Sequence, residues 1–375
     1  MEAPAPSAVL LLRKQPLVWI LSLLYPLIFT AISVSWNHRL PDGWQYSGYM
    51  QGDQPSYTAW AREVFERGNG FLYANPWDAA SDAPRIYSNL AFIVLAALHK
   101  VLPLDWPVTW ELVRIAGGFA MAMLLFKLLT LLQLPPKQTL FLFALALTGG
   151  GVASLIALFG SGGNWLETFI YIEDGRNSGA GYGWWLPNIF RQTLYPLETL
   201  YHAMLYAAAL VFLSKRKMFC LPLLALLWWM HPITAVLATT ILGLAAVVEF
   251  VVASRVKFMG REAIEYLLVI VGIGLIGLAA VAYNRIYIPS FPSGKSFVDQ
   301  ALALARESLR WEWTIESWGW FLIAGFGALF VKGIRSYLVR EPIGRFILAW
   351  LVAVFLWTHN DWFLRHPIQP MHFTR

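Results

Sequence analysis

The amino-acid sequence predicts an all-α fold, a polytopic bundle of transmembrane helices. Its 375 residues are 58% hydrophobic and only 13% charged, whereas soluble domains carry about 25% charged residues. The apolar residues are grouped in runs, and about 20 of them in succession can cross the hydrocarbon core of a bilayer. The sequence also contains 19 tryptophans, whose amphipathic rings are enriched at membrane–water interfaces. Lipid is therefore the expected main solvent of this chain.

The apolar runs predict about 9–10 membrane segments. They lie at 17–35, 86–101, 110–131, 138–160, 196–214, 218–231, 233–253, 264–284, 317–331 and 343–358. No repeat or soluble domain separates them, which predicts a single transmembrane domain over 1–375. Arg13 and Lys14 precede the first run and no small-residue cleavage site follows it, which indicates an uncleaved signal anchor. The chain ends soon after a predicted outer loop, which is compatible with truncation of a longer protein at its C-terminus.

Clusters of Lys and Arg at the ends of the runs predict the orientation, because such clusters stay in the cytoplasm. They are Arg13/Lys14, Lys215/Arg216/Lys217, Arg255/Lys257/Arg261 and Lys332/Arg335/Arg340. The loops 36–85, 161–195, 285–316 and 359–375 then lie on the outer face, together with the turn at His231-Pro232. We expect an integral, multi-pass protein, most simply of a bacterial inner (plasma) membrane, with its active loops outside.

Three apolar runs separate the first two outer loops, although an even number of crossings is required between loops on the same face. Lys127 and Lys137 favour a cytoplasmic turn at Leu134–Gln138. We therefore predict that 86–101, which is short for a span, enters the membrane and returns. The alternative is that Gly149-Gly150-Gly151 breaks the run at 138–160 into a hairpin.

Two outer segments are predicted to be amphipathic helices that lie flat at the headgroup level. In Pro55–Arg67, one apolar face is formed by Tyr57, Trp60, Ala61, Val64 and Phe65, with Glu63, Glu66 and Arg67 away from it and Gly68 as a stop. The second helix, Phe297–Arg310, opens with the capping signature Ser296-x-x-Asp299.

Several function classes are disfavoured by what the sequence lacks. A basic stripe interleaved with stacking aromatics is absent, so we expect no nucleic-acid partner. No Gly-x-x-x-x-Gly-Lys-Ser/Thr phosphate loop is present, and no Asp-x-Asp triplet suggests a metal-held nucleotide sugar. Cys220 is the only cysteine, which excludes an intrachain disulfide and a thiolate zinc site.

The first outer loop is the most informative segment. Roughly fifty residues is long for a bare connector, and Asp53 stands directly before the predicted flat helix. A helix N-terminus favours an ionised carboxylate, which suits a catalytic base. The alternative is a structural cap, because Asp is among the preferred N-cap residues.

The stretch Gly52-Asp53-Gln-Pro-Ser-Tyr57-Thr-Ala-Trp60-Ala-Arg62-Glu63, supported by Asn75-Pro76 and Pro84-Arg85-Ile-Tyr87, resembles the GT-C superfamily of membrane glycosyltransferases. That family includes protein O-mannosyltransferases and bacterial aminoarabinose transferases. The resemblance lies in the order of features: one membrane helix, an outer loop with an acidic residue before a flat Tyr/Trp-containing helix, then further spans. It implies a sugar donor on a polyprenyl phosphate and Asp53 as, or beside, the base. Many members have an acidic pair or a second loop Asp, whereas Gln54 follows Asp53 here.

The chemistry of such a transfer can be argued separately. The donor phosphate is a good leaving group, so the poor acceptor hydroxyl needs one positioned base, worth about 10²–10⁴-fold, and the departing phosphate needs cations or donors aimed at it. The predicted catalytic residue is Asp53. The predicted substrate-binding residues are Tyr57, Arg85, Tyr87, Arg191, Glu198, His202, His231, Arg365, His366, His372 and Arg375. Glu198 and His202, four apart, share a helix face, and charge within a span usually faces a cavity.

These residues also have structural interpretations, which remain open from sequence alone. Arg85 can anchor the chain at the interface, Glu198 and His202 can be a pair facing water, and His231 can form a turn. A divalent cation, held by Asp53 and Glu198, is an open alternative to a cofactor-free site. The expected partners are the lipid-linked sugar donor, membrane lipid, and a glycan, lipid or protein acceptor. The rival functions are a lipid or lipid-linked-sugar transporter, which predicts duplicated halves that the sequence lacks, and a non-catalytic scaffold.

Overall fold

The computed structural model describes residues 16–35, 42–43, 53–78, 80, 82–148, 193, 195–257, 259–304, 325 and 327–364. In these ranges the regular elements are all helical, and the β-pairing is limited to an isolated bridge between Tyr73 and Tyr87. In chain order the helices are α1 (Pro16–Ser35), α2 (Asp53–Phe65), α3 (Leu90–Val101), α4 (Trp106–Thr130), α5 (Pro136–Thr148), α6 (Pro196–Phe212), α7 (Cys220–Met230), α8 (Pro232–Val256), α9 (Arg261–Ala282), α10 (Pro292–Leu304), α11 (Lys332–Arg340) and α12 (Pro342–Thr358).

Four helices in the described ranges are long and apolar enough to cross a membrane: Pro16–Ser35, Trp106–Thr130, Pro232–Val256 and Arg261–Ser290. Shorter apolar helices occupy Leu90–Val101, Pro136–Leu147, Lys217–Met230 and Pro342–Thr358. The predicted all-helical membrane class is therefore confirmed in this coarse form. The predicted total of about 9–10 segments stays a prediction, because the runs at 138–160 and 317–331 are described only in part.

The predicted segment 86–101 contains the short helix α3, and its entry into and return from the membrane stay a prediction. This helix holds 12 residues, which span about 18 Å at 1.5 Å per residue, whereas the hydrocarbon core is about 30 Å thick. The helix begins four residues later than predicted, because Asn89 caps it by accepting a 2.9 Å hydrogen bond from the Ala91 amide. A helix of this length is too short to cross that core by itself.

The flat helix predicted at Pro55–Arg67 is α2, and it begins two residues earlier. Trp60, Ala61 and Val64 are buried as predicted. The expectation that Glu63 faces away from the apolar side is wrong, since its side chain is only 3% exposed. The chain turns back over the helix end and brings the Asn69 side chain to Glu63, where it donates a 2.7 Å hydrogen bond. Gly68 permits this reversal with a φ of +69°.

The second predicted flat helix has the wrong start. α10 begins at Pro292, and the Ser296-x-x-Asp299 signature lies within it. α9 continues into a π-helical turn at Tyr283–Tyr287 and a 3-10 turn at Ile288–Ser290, so little chain remains before the next helix. Proline is favoured at a first helical position because its φ is already helical. Residues 305–310 of the predicted helix lie outside the described ranges.

The chain divides into two compact units. Unit 1 contains Met1–Leu147, Gln192–Leu210 and Trp229–His231, and unit 2 contains Thr148–Arg191, Val211–Trp228 and Pro232–Arg375. In unit 1, α1 and the start of α6 pack closely against α4 at two adjacent glycines. A Cβ at Gly118 would lie 2.8 Å from Cβ of Pro26, and a Cβ at Gly117 would lie 2.1 Å from Oγ1 of Thr199. Small residues of this kind let helix backbones approach in membranes.

Gly117→Ala is expected to destabilise the protein by about 1–3 kcal/mol, because the added methyl overlaps a side chain that cannot move freely. The Thr199 hydroxyl donates a 2.6 Å hydrogen bond to the Pro196 carbonyl, which moving it would break. Gly277→Ala in α9 is the matched control, because no atom lies within 4 Å of its added Cβ. The test compares the thermal unfolding midpoints of the two variants in the same detergent. Equal midpoints would contradict the close packing of α6 against α4 at Gly117.

In unit 2, ion pairs gather the ends of several helices. Arg345 donates to both carboxylate oxygens of Glu249, at 2.6 and 2.7 Å, and so joins the start of α12 to α8. Glu265 accepts from Lys217 and Arg261, both at 3.1 Å, and so joins α9 to the turn before α7. Three of the basic clusters predicted to be cytoplasmic therefore lie around one end of unit 2. Which face of the membrane this end occupies stays a prediction.

At the end of α12, His359 is buried and stacks on Trp362 with ring centroids 4.9 Å apart. Burial lowers the pKa of His359 below its ordinary value of 6.5, with Asp361 opposing the shift. Because the fold favours the neutral imidazole, the stability from this site is present above about pH 6.5 and is lost as pH falls through the lowered pKa.

We therefore expect the melting temperature to fall in mildly acidic buffer, and to fall less for His359→Gln, which cannot take up this proton. Melting curves of both proteins over the same pH range test this. Identical pH profiles would show that His359 does not contribute.

Candidate active site

The helix that carries the predicted base is fixed against a membrane-length helix. Asp53 is exposed at the first position of α2, so its carboxylate belongs to the helix N-terminus as predicted. One turn further, Trp110 of α4 donates a 3.0 Å hydrogen bond to the Thr58 hydroxyl, which itself donates to the Gln54 carbonyl at 2.9 Å. Trp110 is fully buried. The start of α2 is thus held on α4 by a specific polar contact.

An aromatic cluster supports the other side of α2. The Trp60 ring contacts those of Tyr73, Trp77, Tyr87 and Phe92, with centroids 5.0–6.3 Å apart. Tyr57 joins the cluster through Phe92 at 5.4 Å. The predicted binding residues Tyr57 and Tyr87 therefore share one surface, in which Tyr87 is buried and Tyr57 half-buried.

A buried ion pair inside α4 was not predicted from the sequence. Arg114 is fully buried and pairs with Glu111, which also accepts a 2.9 Å hydrogen bond from Ser33 of α1. Arg114 Nε donates to the Thr193 carbonyl at 2.8 Å. A second nitrogen of the guanidinium, Nη2, is buried without a hydrogen-bond partner among the described residues. The available signal was a Glu-x-x-Arg spacing, which places both charges on one helix face, within an apolar run.

Glu198 and His202 lie one turn apart on α6, as predicted. Glu198 is 8% exposed and lies within electrostatic range of Tyr25 and Tyr201. His202 is half-buried, and its Nδ1 is 2.8 Å from the Glu198 carbonyl oxygen. This backbone contact orients the imidazole. It does not involve the Glu198 carboxylate.

His231 occupies the turn between α7 and α8 and stacks on Tyr201, with centroids 4.1 Å apart and planes 6° apart. The same turn is attached to the returning end of the first loop. Asn89 donates to the Met230 carbonyl, and Trp229 donates to the Ser88 hydroxyl, both at 2.9 Å. The turn and the first loop are therefore parts of one assembly within unit 1.

These contacts define what we call the polar cluster of unit 1: Tyr57, Glu111, Arg114, Glu198, Tyr201 and His231. Tyr201 links its parts, because it stacks on His231 and lies within electrostatic range of Tyr57 and Glu198. Thr193 links Arg114 to Tyr25. Its carbonyl accepts from Arg114, and its side chain is hydrogen-bonded to Tyr25. The cluster combines carboxylates, a guanidinium, phenols and an imidazole beside α2. Such a set can bind an anion and orient a hydroxylated ligand.

Some predicted residues are not part of the polar cluster. Arg85 is exposed, and the described residues offer its guanidinium no hydrogen-bond or ion-pair partner. Tyr87 belongs to the aromatic cluster and His202 contacts the Glu198 backbone. Five further candidates lie outside the described ranges, and their placement is untested: Arg191, Arg365, His366, His372 and Arg375. The predicted divalent-cation alternative gains no support, since within the described part of the chain no group of three or more His, Cys, Asp or Glu is placed to hold a metal.

A cleft of about 450 Å³ lies at the opposite end of α2, between α2, α3 and the start of α4. His99 stacks on Trp106 at 4.0 Å and lies 3.7 Å from Glu66. Asp105 and Lys100 also line it. Asp53, at the other end of the 13-residue helix, is about 18 Å away along the axis, so this cleft is separate from the base.

Comparison with protein-family models, with curated proteins and with solved structures gave no match for this chain. The function must therefore be argued from the residues and their arrangement.

Proposed function

We propose that this protein is an integral-membrane glycosyltransferase of the GT-C type. It would move a sugar from a polyprenyl-phosphate donor to an acceptor on the non-cytoplasmic face, with Asp53 as general base. The observation that carries the proposal is the hydrogen bond from Trp110 to Thr58, which attaches α2, with its exposed N-terminal carboxylate, to the helix that also carries the buried Glu111–Arg114 pair. A base and an anion-binding group at one membrane-associated site are what transfer from a lipid phosphate requires.

The position of Asp53 suits proton transfer. Its carboxylate lies at a helix N-terminus, and it is exposed, so an acceptor hydroxyl can reach it. Tyr57, one turn along α2, is half-buried at the edge of the aromatic cluster. We assign Tyr57 and the loop tryptophans to stacking on the sugar or lipid, since flat rings with a polar tip suit such ligands.

The phosphate needs donors that do not require reorganisation during the reaction. Arg114 meets this requirement best, because its position is fixed by Glu111 and Thr193 while Nη2 remains unpartnered among the described residues. Arg85, exposed at the end of the first loop, would meet the phosphate from the water side. Arg191 and the His and Arg residues of 365–375 remain candidates from the sequence.

The proposed reaction is a single displacement. Asp53 accepts the proton of the acceptor hydroxyl while the oxygen of that hydroxyl forms a bond to the anomeric carbon. The bond from that carbon to the phosphate oxygen breaks, and the phosphate keeps the electron pair as polyprenyl phosphate. Attack opposite the leaving group inverts the configuration of the anomeric carbon.

The test uses the full chain in nanodiscs with a labelled polyprenyl-phosphate sugar. We expect free polyprenyl phosphate to appear when a mixture of candidate glycan, lipid and peptide acceptors is added, with the label moving to one of them in the inverted configuration. The same protein in sealed vesicles distinguishes the rival: movement of the intact donor across the bilayer without cleavage would support a transporter and overturn the proposal.

A further inference from the structure

The helix α11 stands out in unit 2 because none of its residues is buried. Apolar side chains in and next to it are exposed, with Val331, its N-cap residue, at 52%, Ile334 at 41% and Val339 at 59%. Val331, Ile334 and Leu338 recur at spacings of three and four, which places them on one helix face. Lys332 and Arg340 lie on the opposite side, and Arg335, four residues after Val331, lies at the border between the two faces. An apolar face opposite a basic face is the pattern of helices that lie in a membrane interface.

The position of α11 is fixed by close contact with α12. A Cβ at Gly344 would lie 2.5 Å from the Tyr337 carbonyl oxygen, so the two backbones approach as closely as glycine permits. Arg345 donates to the carbonyls of Val339 and Arg340 while holding Glu249 of α8. α11 is therefore anchored at the end of an apolar helix, the depth at which an interfacial helix must lie.

The basic side chains of α11 are available for an outside partner. Within the described ranges, the side chains of Lys332, Arg335 and Arg340 have neither an ion pair nor a hydrogen bond. The nearby carboxylates of Glu249 and Glu265 are bound by Arg345 and by Lys217 and Arg261. Exposed Arg255 and Lys257 add further positive charge to the same end of unit 2. The surface is thus complementary to negative charge and bordered by apolar side chains.

We propose that α11 is an interfacial helix that binds anionic phospholipid headgroups through Lys332, Arg335 and Arg340, with Val331, Ile334 and Leu338 inserted among the acyl chains. The cytoplasmic leaflet supplies such headgroups, and each Lys or Arg near that surface strengthens binding about fivefold. The attraction is electrostatic and decreases as salt shortens the screening length. This inference does not depend on the proposed transferase activity.

The experiment measures how the melting temperature of the full chain changes between nanodiscs of phosphatidylcholine alone and nanodiscs that also contain phosphatidylglycerol. We expect wild type to gain stability from phosphatidylglycerol, with less gain at high salt. Lys332→Gln/Arg335→Gln should lose most of this gain, and native mass spectrometry should show about 25-fold weaker phosphatidylglycerol retention, from two charges at about fivefold each.

The comparison variant is Arg285→Gln/Lys295→Gln, which removes one Arg and one Lys that are also exposed, beyond the other end of α9; it should lose clearly less of the gain, because it leaves the basic residues of α11 intact. Lys332→Arg/Arg335→Lys keeps both charges and should keep the full gain; loss of the gain in this variant too would show that perturbed folding, and not lost charge, explains the first variant. An unchanged gain in Lys332→Gln/Arg335→Gln, or an equal loss in the comparison variant, would overturn the proposal.

Discussion

Asp53→Asn is expected to lower sugar transfer by about 10²–10⁴-fold, the contribution of a positioned general base. Asparagine keeps the size and the hydrogen-bonding oxygen of aspartate but cannot accept the acceptor proton at neutral pH. The loss should appear in kcat more than in KM, because the base acts on the transition state. Turnover of the labelled lipid-linked donor by purified protein measures it.

The control for Asp53 is Asp82→Asn. Asp82 is an exposed carboxylate of the same loop, with no hydrogen-bond or ion-pair partner among the described residues, so its loss changes the loop charge equally. It should retain wild-type turnover. If Asp53→Asn retains full turnover while melting like wild type, the carboxylate is a helix cap and the base assignment fails.

Arg114→Met is expected to cost about 3–5 kcal/mol of stability, because it leaves the Glu111 carboxylate buried without its cation. Ser33 would remain as a donor to Glu111 at 2.9 Å, but one hydroxyl does not balance the charge. Unfolding by denaturing detergent in mixed micelles measures the loss. A loss of unfolding free energy below about 0.5 kcal/mol, the usual range for surface substitutions, would contradict a buried ion pair between Arg114 and Glu111.

The double variant Glu111→Leu/Arg114→Met separates stability from ligand binding. Replacing both members of a buried pair by apolar residues is often neutral or stabilising, so its stability should be close to that of wild type. If Arg114 holds the donor phosphate, the double variant should still bind the lipid-linked donor more weakly. If the double variant recovers both wild-type stability and wild-type donor binding, the Glu111–Arg114 pair has only a structural role.

The parts of the fold predicted from sequence are those set by local pattern. Long apolar runs indicated the membrane-length helices α1, α4, α8 and α9, and the spacing of Trp60, Ala61 and Val64 indicated the buried face of α2. The start of α10 was mispredicted because Ser296 and Asp299 form a capping pattern in the sequence. The turns that follow α9 bring the helix start forward to Pro292, so both residues lie inside the helix and do not cap it.

The polar contacts could not be predicted because they depend on distant partners. Glu63 is buried because Asn69 folds back to it, and periodicity alone treats such a charge as solvent-facing. Arg114 and Glu111 looked unremarkable within an apolar run, and their importance follows from Ser33 and Thr193, which lie 78 and 79 residues away. In both cases burial is permitted by a specific neighbour that the local sequence does not reveal.

The proposed transfer takes place on the non-cytoplasmic face of the membrane. It therefore requires that Asp53 and its loop lie on that face. Cys220 is the only cysteine and is buried, so a Cys220→Ala background allows single-site labelling. A membrane-impermeant maleimide applied to intact spheroplasts should label Asp82→Cys, and should label Lys257→Cys only after the membrane is permeabilised. Labelling of Lys257→Cys but not Asp82→Cys in intact spheroplasts would contradict the account.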